Sequence, residues 1–391
     1  MYASHGLFQE AFEVLEKLPN HDVVTWNVLI AAFVEHGCNE EGLDCLEQMQ
    51  CEPISPDAVT FICSLKACCN MGATEKGREL HAEITKQGLP GADVSIANTL
   101  IGMYSKFGLL AEAKQVFDSS VVKSVVAWNA IIAAYTEQGH GEAALLCFEK
   151  MEPQGASPDL ITVVCSIKAC GSIGARGRGR ELHLYVSCKG LEVEPLVGNT
   201  LVFMYAKCGL LATAQKVFNG LDDHNVVSWT VLLAGYAQLG ETDNVFQIFE
   251  GMIREDVTPD VMTYGSVLSA CSYSGLVDEG QMLFEIMHND RNSFPSPWHH
   301  VCMIDLLGRA GQVEKAVMLT REMPFHPCSL AWHIVLGACK KWGLAVLGNL
   351  GFEHAFELDD EDAPAYVCIG NIYRDAALLE DANDLEAMIG E

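Results

Sequence analysis

Positive charge is scarce in this chain. Lys and Arg number 24 against 52 Asp and Glu, a net charge of −28 over 391 residues. Nucleic-acid binding normally draws on a basic footprint that neutralises phosphates. Either the binding face is locally less acidic than the whole, or any such binding is weak. Also missing is a run of the ~18–20 consecutive apolar residues that a membrane helix requires, so no membrane association is expected. Cysteine pairs at ligand spacing are absent: no two of the 16 cysteines stand three residues apart, which rules out Cys-x-x-Cys zinc or redox motifs. His81-Ala82-Glu83 and His140-Gly141-Glu142 thus supply only half of a zinc-deaminase signature, without its Pro-Cys-x-x-Cys partner. Gly174, Gly177 and Gly179 interleave with Arg176, Arg178 and Arg180 but follow a helical pattern, not a strand, so they form no phosphate loop. The three arginines read as a solvated helix face, with a weak phosphate contact as the lesser reading. No catalytic residue, metal, cofactor or small-molecule substrate is expected.

What is abundant is self-similarity. Val23-Val24-Thr25-Trp26-Asn27 returns as Val125-Val126-Ala127-Trp128-Asn129 and Val226-Val227-Ser228-Trp229-Thr230, the tryptophans 102 and 101 residues apart. Ser55-Pro56-Asp57, Ser157-Pro158-Asp159 and Thr258-Pro259-Asp260 recur with them, as do Cys68, Cys170 and Cys271. These cysteines, like Cys339, follow Ala inside helical patterns and are expected to be reduced packing thiols in a reducing compartment.

Each long period divides into three units: 23–57, 58–93 and 94–124; 125–159, 160–194 and 195–225; 226–260, 261–296 and 297–328. Within a unit, Trp128, Ile131, Ile132 and Tyr135 share one helical face. Gly139 and Gly141 punctuate, Ala144, Leu145, Phe148 and Met151 form a second stripe, and Pro158 is expected to stop the second helix. Two helices of about a dozen residues cannot bury their faces alone, so the hairpins must stack. The predicted fold is all-α, a right-handed solenoid of helix-turn-helix repeats.

Units of this length could be tetratricopeptide repeats, but their Trp-x-x-Leu-Gly-x-x-Tyr pattern is absent. Val-Val-x-Trp-Asn-x-Leu-Ile closed by Pro-Asp instead resembles the plant-type pentatricopeptide repeat (PPR). The alternation of 35-, 35–36- and 31–32-residue units resembles the subclass with long and short variants, typical of organelle RNA-editing factors. Cys302-Met303-Ile304-Asp305-Leu306-Leu307-Gly308-Arg309-Ala310-Gly311 resembles the last short repeat of that subclass. Residues 329–362 resemble the first C-terminal extension motif, and 363–391 part of the second. Met1 aligns with Met103, the tenth residue of its unit, so residues 1–22 read as a truncated repeat and the natural chain is expected to begin upstream.

The resemblance implies a non-enzymatic protein of the mitochondrion or chloroplast that reads single-stranded organellar RNA one nucleotide per unit. It also implies recruitment of a separate deaminase-domain protein through 329–391. The fifth and last residues of each unit would read the base: Asn27 with Asp57, Asn98 with Ser124, Asn129 with Asp159, Asn199 with Asn225, and Thr230 with Asp260. Val24, Val126 and Val227, and less typically Ser95, would sandwich the bases as second residues. Ile62 with Asp93, Val164 with Glu194, Gly265 with Ser296 and Val301 with Cys328 offer little at the fifth position and would tolerate several bases. The implied target reads U-n-C-U-n-Y-G-n-n, Y being either pyrimidine. Asn near a helix start and Asp after Pro also suit plain helix capping. The competing readings are a protein-interaction scaffold, or RNA stabilisation and processing without editing.

Overall fold

The structure, a computed structural model, describes residues 22–376 apart from 53, 89–92, 290–293, 326–327 and 360–361. The truncated repeat expected over 1–22 and the end of the second extension motif therefore fall almost wholly outside the described residues. Those residues contain twenty-one α-helices and no strand. The first helices of successive hairpins are α1 (Val23–Glu35), α3 (Ala58–Met71), α5 (Val94–Lys106), α7 (Val125–Glu137), α9 (Leu160–Ile173), α11 (Pro195–Lys207), α13 (Val226–Gln238), α15 (Val261–Ser274), α17 (Pro297–Arg309), α19 (Ser329–Trp342) and α21 (Ala363–Asp375). The second helices are α2 (Asn39–Cys51), α4 (Thr74–Lys86), α6 (Leu110–Ser119), α8 (Gly141–Met151), α10 (Arg176–Lys189), α12 (Leu211–Asn219), α14 (Thr242–Arg254), α16 (Val277–Asn289), α18 (Val313–Arg321) and α20 (Ala345–Leu358). Every unit boundary expected from the repeats coincides with the first residue of a first helix.

Local chemistry explains those starts. Asp57, Asp159 and Asp260 are extended N-caps whose carboxylates accept the backbone N–H of Thr60, Thr162 and Thr263, while the threonine hydroxyls accept the caps' own N–H. A reciprocal box of this kind satisfies two donors that a helix start otherwise leaves unpaired. Gly72 and Gly174 end α3 and α9 in the left-handed conformation, which glycine adopts without a Cβ penalty.

Two compact units, Met1–Thr200 and Leu201–Glu391, are each built of stacked hairpins. In the first, α1 packs on α2 and α3, α3 on α5, and α5 on α7; in the second, α13 packs on α15, α15 on α17, and α17 on α19. The repeated tryptophan holds neighbours together. Trp128 meets Phe117 of the preceding hairpin edge-on at 4.6 Å, and Trp229 meets Phe218 at 4.7 Å, a preferred geometry for aromatic pairs. Cys68, Cys170, Cys271 and Cys339 are fully buried. Burial pushes the thiols of Cys68 and Cys339 up to about 11 and that of Cys271 to about 12, so they pack as neutral hydrophobes.

Two local expectations change. Helix α8 ends at Met151, followed by a 3-10 turn over Glu152–Gln154 and left-handed Gly155, so it stops well before Pro158. Gly141 is not punctuation but the buried first residue of α8. A β-carbon there would lie 2.6 Å from Ile173 Cγ2 and 3.0 Å from the Ala169 carbonyl oxygen of α9. Alanine usually favours a helix over glycine by about 1 kcal/mol, but overpacking costs about 1–3 kcal/mol and wins against a backbone neighbour. Gly141→Ala is expected to lower the urea midpoint with the slope unchanged; a raised midpoint would show that α8 and α9 separate freely.

Candidate nucleic-acid interface

In four hairpins the fifth residue of the first helix bonds the residue that caps the next first helix. In the hairpin 23–57, buried Asn27 donates from Nδ2 to Asp57 Oδ1 at 2.9 Å and accepts the Thr60 hydroxyl on its own Oδ1. The hairpin 125–159 repeats this: Asn129 Nδ2 lies 2.9 Å from both Asp159 oxygens, and Thr162 donates to Asn129 Oδ1. The threonine thus fixes the amide with its N–H side toward the carboxylate. Burial opposes ionisation of Asp57 and Asp159, but hydrogen bonds from the Thr backbone, the Asn amide and the Thr hydroxyl outweigh it and hold both below the usual carboxylate range. Both remain charged at neutral pH. Asp57 and Asp260 are half-buried and Asp159 is exposed, so the carboxylates keep access to solvent.

The hairpin 226–260 differs. Thr230 does not reach Asp260; its hydroxyl meets that of Thr263 at 2.7 Å, and Thr263 in turn donates to Asp260 Oδ1 at 2.7 Å. The shorter side chain leaves more room beside the carboxylate than asparagine does. In 94–124, Ser124 donates to Asn98 Oδ1 at 2.9 Å and caps α7 through the Ala127 N–H at 3.1 Å. Asn199 is half-buried at the fifth position of α11, and Asn225 caps α13 through the Ser228 N–H at 3.0 Å. Capping is therefore common to the last residues. It commits Oδ1 of the aspartates, and Oδ2 of Asp159 also accepts from Asn129, which leaves one of its lone pairs for another donor.

The second residues Val24, Val126 and Val227 are 52–61% exposed, unusual for valines that begin otherwise buried helices. The same register holds Val59, Ile161, Leu196, Met262, Trp298 and Leu330, all exposed, and these six are absent from the sequence-based set. The repeats do carry a signal for them: a large apolar residue at position two of every hairpin from 23 to 362 except Ser95. Three further residues escape sequence reasoning. His299 takes the place of the capping threonine, its Nδ1 accepting from Ser296 and its Nε2–H donating to Val261 O at 2.7 Å. Burial pushes its pKa down, which keeps it neutral for that role. His333 and Asp362, the fifth and last residues of 329–362, meet at 2.6 Å beside Ser329. This is no catalytic triad. Ser329 and Asp362 approach the same imidazole nitrogen, whereas a triad needs them on opposite nitrogens.

The structure also partitions the charge. The first helices carry eight cations, Lys66, Lys106, Lys168, Lys207, Arg309, Lys340, Lys341 and Arg374, against four carboxylates, Glu35, Glu137, Asp305 and Asp375. The second helices carry twenty carboxylates against thirteen cations. Asp22, Asp57, Asp93, Asp159, Glu194, Asp260 and Asp362 stand one residue before first helices, and with these seven the four carboxylates become eleven against the eight cations, so the face that bears the second and fifth residues stays acidic.

The His-x-Glu half-motif at 81 and the arginine cluster at 176–180 both lie on second helices, α4 and α10. His81 bonds the Tyr104 hydroxyl at 2.8 Å, and Arg178 pairs with Glu149 on second helices. Among the described residues no group of His, Cys, Asp and Glu could hold a metal, and no helix is long and apolar enough to cross a membrane.

Comparison with known proteins fits this geometry. A family model described as the PPR repeat family matches residues 21–70, 123–172 and 224–273, and one described as the PPR repeat matches 1–23, 95–125, 262–291 and 299–328. The pentatricopeptide repeat-containing protein CRR2, chloroplastic, of Arabidopsis thaliana is 34% identical over 395 residues, covering 100% of this chain and 60% of that protein. The Arabidopsis thaliana pentatricopeptide repeat-containing protein At2g03380, mitochondrial, is 31% identical over 391 residues, covering 100% and 56%. The chain spans a little over half the length of these two relatives. The crystal structure of PPR10 from maize aligns with a TM-score of 0.58 and 19% identity over 100% of this chain and 68% of that one. PPR10 in complex with an 18-nt psaJ RNA element aligns with a TM-score of 0.66 and 18% identity over 97% and 62%.

Proposed function

Because the chain belongs to the pentatricopeptide repeat family, we propose that it binds single-stranded RNA through its first helices, one nucleotide per hairpin. The observation that carries this is the pairing of fifth and last residues beside a row of exposed apolar second residues. Asn27 and Asn129 each retain an amide N–H, Asp57 retains Oδ2, and Asp159 retains the second lone pair of its Oδ2. Together they present a donor next to an acceptor. Uracil offers the complement, a ring N–H flanked by carbonyls, whereas cytosine and adenine would set a ring acceptor against the carboxylate. At Thr230 and Asp260 the same carboxylate meets the ring N–H of guanine, with space for a purine. The exposed second residues supply apolar faces for the bases.

We read the protein as a non-enzymatic specificity factor for C-to-U editing in a mitochondrion or chloroplast, the compartments named for its relatives. The hairpin 329–362, together with residues 363–391, would engage a deaminase supplied by another protein. Disrupting the gene and sequencing organellar transcripts tests this. Loss of one edit whose upstream sequence fits U-n-C-U-n-Y-G-n-n supports it; intact edits with altered transcript ends or levels favour RNA stabilisation or processing instead.

A further inference from the structure

Between the hairpins 94–124 and 125–159 lies a cavity of about 200 Å3. Its walls are largely apolar, from Phe117 of α6, Trp128, Ile131 and Tyr135 of α7, and Leu146 of α8. Lys114 of α6, Lys123 of the connecting loop and Lys150 of α8 line it too, against one carboxylate, Asp118. Three cations less one anion leave +2, in a chain whose total is −28. Among the described residues none of the three ammonium groups pairs with a carboxylate, whereas Lys76 and Arg178 on other second helices do. Lys123 rests over the rings of Phe117 and Trp128, 4.9 and 6.0 Å from their centroids, and reaches only Gln154 Oε1, at 3.5 Å. Burial pushes the Cys147 thiol up against the pull of Lys150, Lys114 and Lys123, so this wall residue stays neutral and answers none of them.

A donor without a protein acceptor stands at the same place. Trp128 is 1% exposed, and its Nε1–H bonds nothing among the described residues. A buried donor left unpaired is destabilising. The repeat indicates what suits it. In the hairpin 23–57 the equivalent Trp26 donates from Nε1 to the Glu52 carboxylate at 3.3 Å. The position of Glu52 holds neutral Gln154 in 125–159 and Glu255 in 226–260. Trp229 also lacks an acceptor, but there His224 packs on its ring and Glu255 bonds that histidine at 3.1 Å. Lys114, Lys123 and Lys150 correspond to Gln215, His224 and Gly251 in that repeat. The middle repeat alone therefore joins three lysines to an indole whose carboxylate partner has been replaced.

We propose that this cavity binds a compact multivalent anion, a phosphate or a polycarboxylate, which takes the place that Glu52 fills beside Trp26. The lysines balance its charge as point cations, and the indole N–H donates to one of its oxygens. Lys123 and Gln154, both long and flexible, swing from the ring to admit it. The apolar walls strengthen the attraction by thinning the water around it. None of the residues that line the cavity is the second, fifth or last of its hairpin, so the inference stands apart from the RNA-binding reading.

Isothermal titration calorimetry of the full chain tests it, with inorganic phosphate and citrate as separate titrants and sodium chloride as reference, at low, matched ionic strength. Saturable one-site binding of phosphate alone assigns a phosphoryl ligand, of citrate alone a polycarboxylate, and of both the shared chemistry. Lys114→Gln and Lys150→Gln, each at an exposed side chain, are expected to weaken binding about ten-fold or more, the usual effect of one charged hydrogen bond. Gln154→Glu is the sharper variant. It supplies the carboxylate that Trp26 finds in Glu52, so it should abolish binding and raise the urea midpoint of the anion-free protein. A saturable signal that survives Gln154→Glu and both lysine variants would be an adventitious ion only, and would overturn the proposal. So would the absence of saturable binding of either anion by the parent chain.

Discussion

Replacing Thr230 by Asn is expected to turn a guanine-preferring hairpin into a uracil-preferring one. The neighbouring groups are already in place: Asp260 caps α15 by accepting the Thr263 N–H and hydroxyl, as Asp159 accepts those of Thr162. An asparagine at 230 can therefore adopt the arrangement seen at Asn129, with its oxygen on Thr263 and its amide on the carboxylate. The carboxylate still accepts a ring N–H from either base, while the longer amide takes the room a purine needs. A mismatch at a two-bond contact costs about 1–3 kcal/mol, so the ratio of guanine to uracil affinity should swing by roughly ten- to a hundred-fold. Competition binding at fixed low salt reads it. A ratio that stays put while overall binding persists would mean that these residues do not read the base.

Asp159→Asn separates capping from reading. Asparagine and aspartate cap helices about equally well, so the start of α9 should survive and stability should change by less than about 0.5 kcal/mol. The chemistry offered outward changes more. Where Oδ2 accepted a ring N–H, an amide nitrogen now donates, which opposes uracil and matches the ring acceptor of cytosine. The preference for uracil over cytosine at this hairpin should vanish or invert, by about ten-fold or more, with the urea midpoint unmoved. An unchanged preference would reduce Asp159 to a helix cap; a lowered midpoint would show that its charge, as well as its cap, supports the fold.

The hairpin boundaries were legible in the sequence because local groups set them. Asp22, Ser124 and Asn225 before Val-Val-x-Trp, and Pro-Asp before the unit that follows, each place an N-cap and a first turn within a few residues, and each such signal meets a helix start in the structure. The pairing of Asn27 with Asp57 and of Asn129 with Asp159 obeys the same register. What escaped depends on contacts between hairpins. Gly141 resembles a breaker until Ile173 and Ala169 of the next hairpin are placed against it. Gly265 reads as merely mute, since nothing in its own hairpin hints that Trp298 of the next one fills its place.

Titrating the chain against U-n-C-U-n-Y-G-n-n and against the same bases in scrambled order, over a series of salt concentrations, weighs the whole account. With several hairpins discriminating, the ordered RNA should bind at least about ten-fold more tightly at low salt. Both affinities should fall only gently as salt rises, since few cations on the first helices meet phosphates. Equal affinity for the two RNAs, or no binding of either at the lowest salt, would contradict base reading and leave the first helices as a surface for a protein partner.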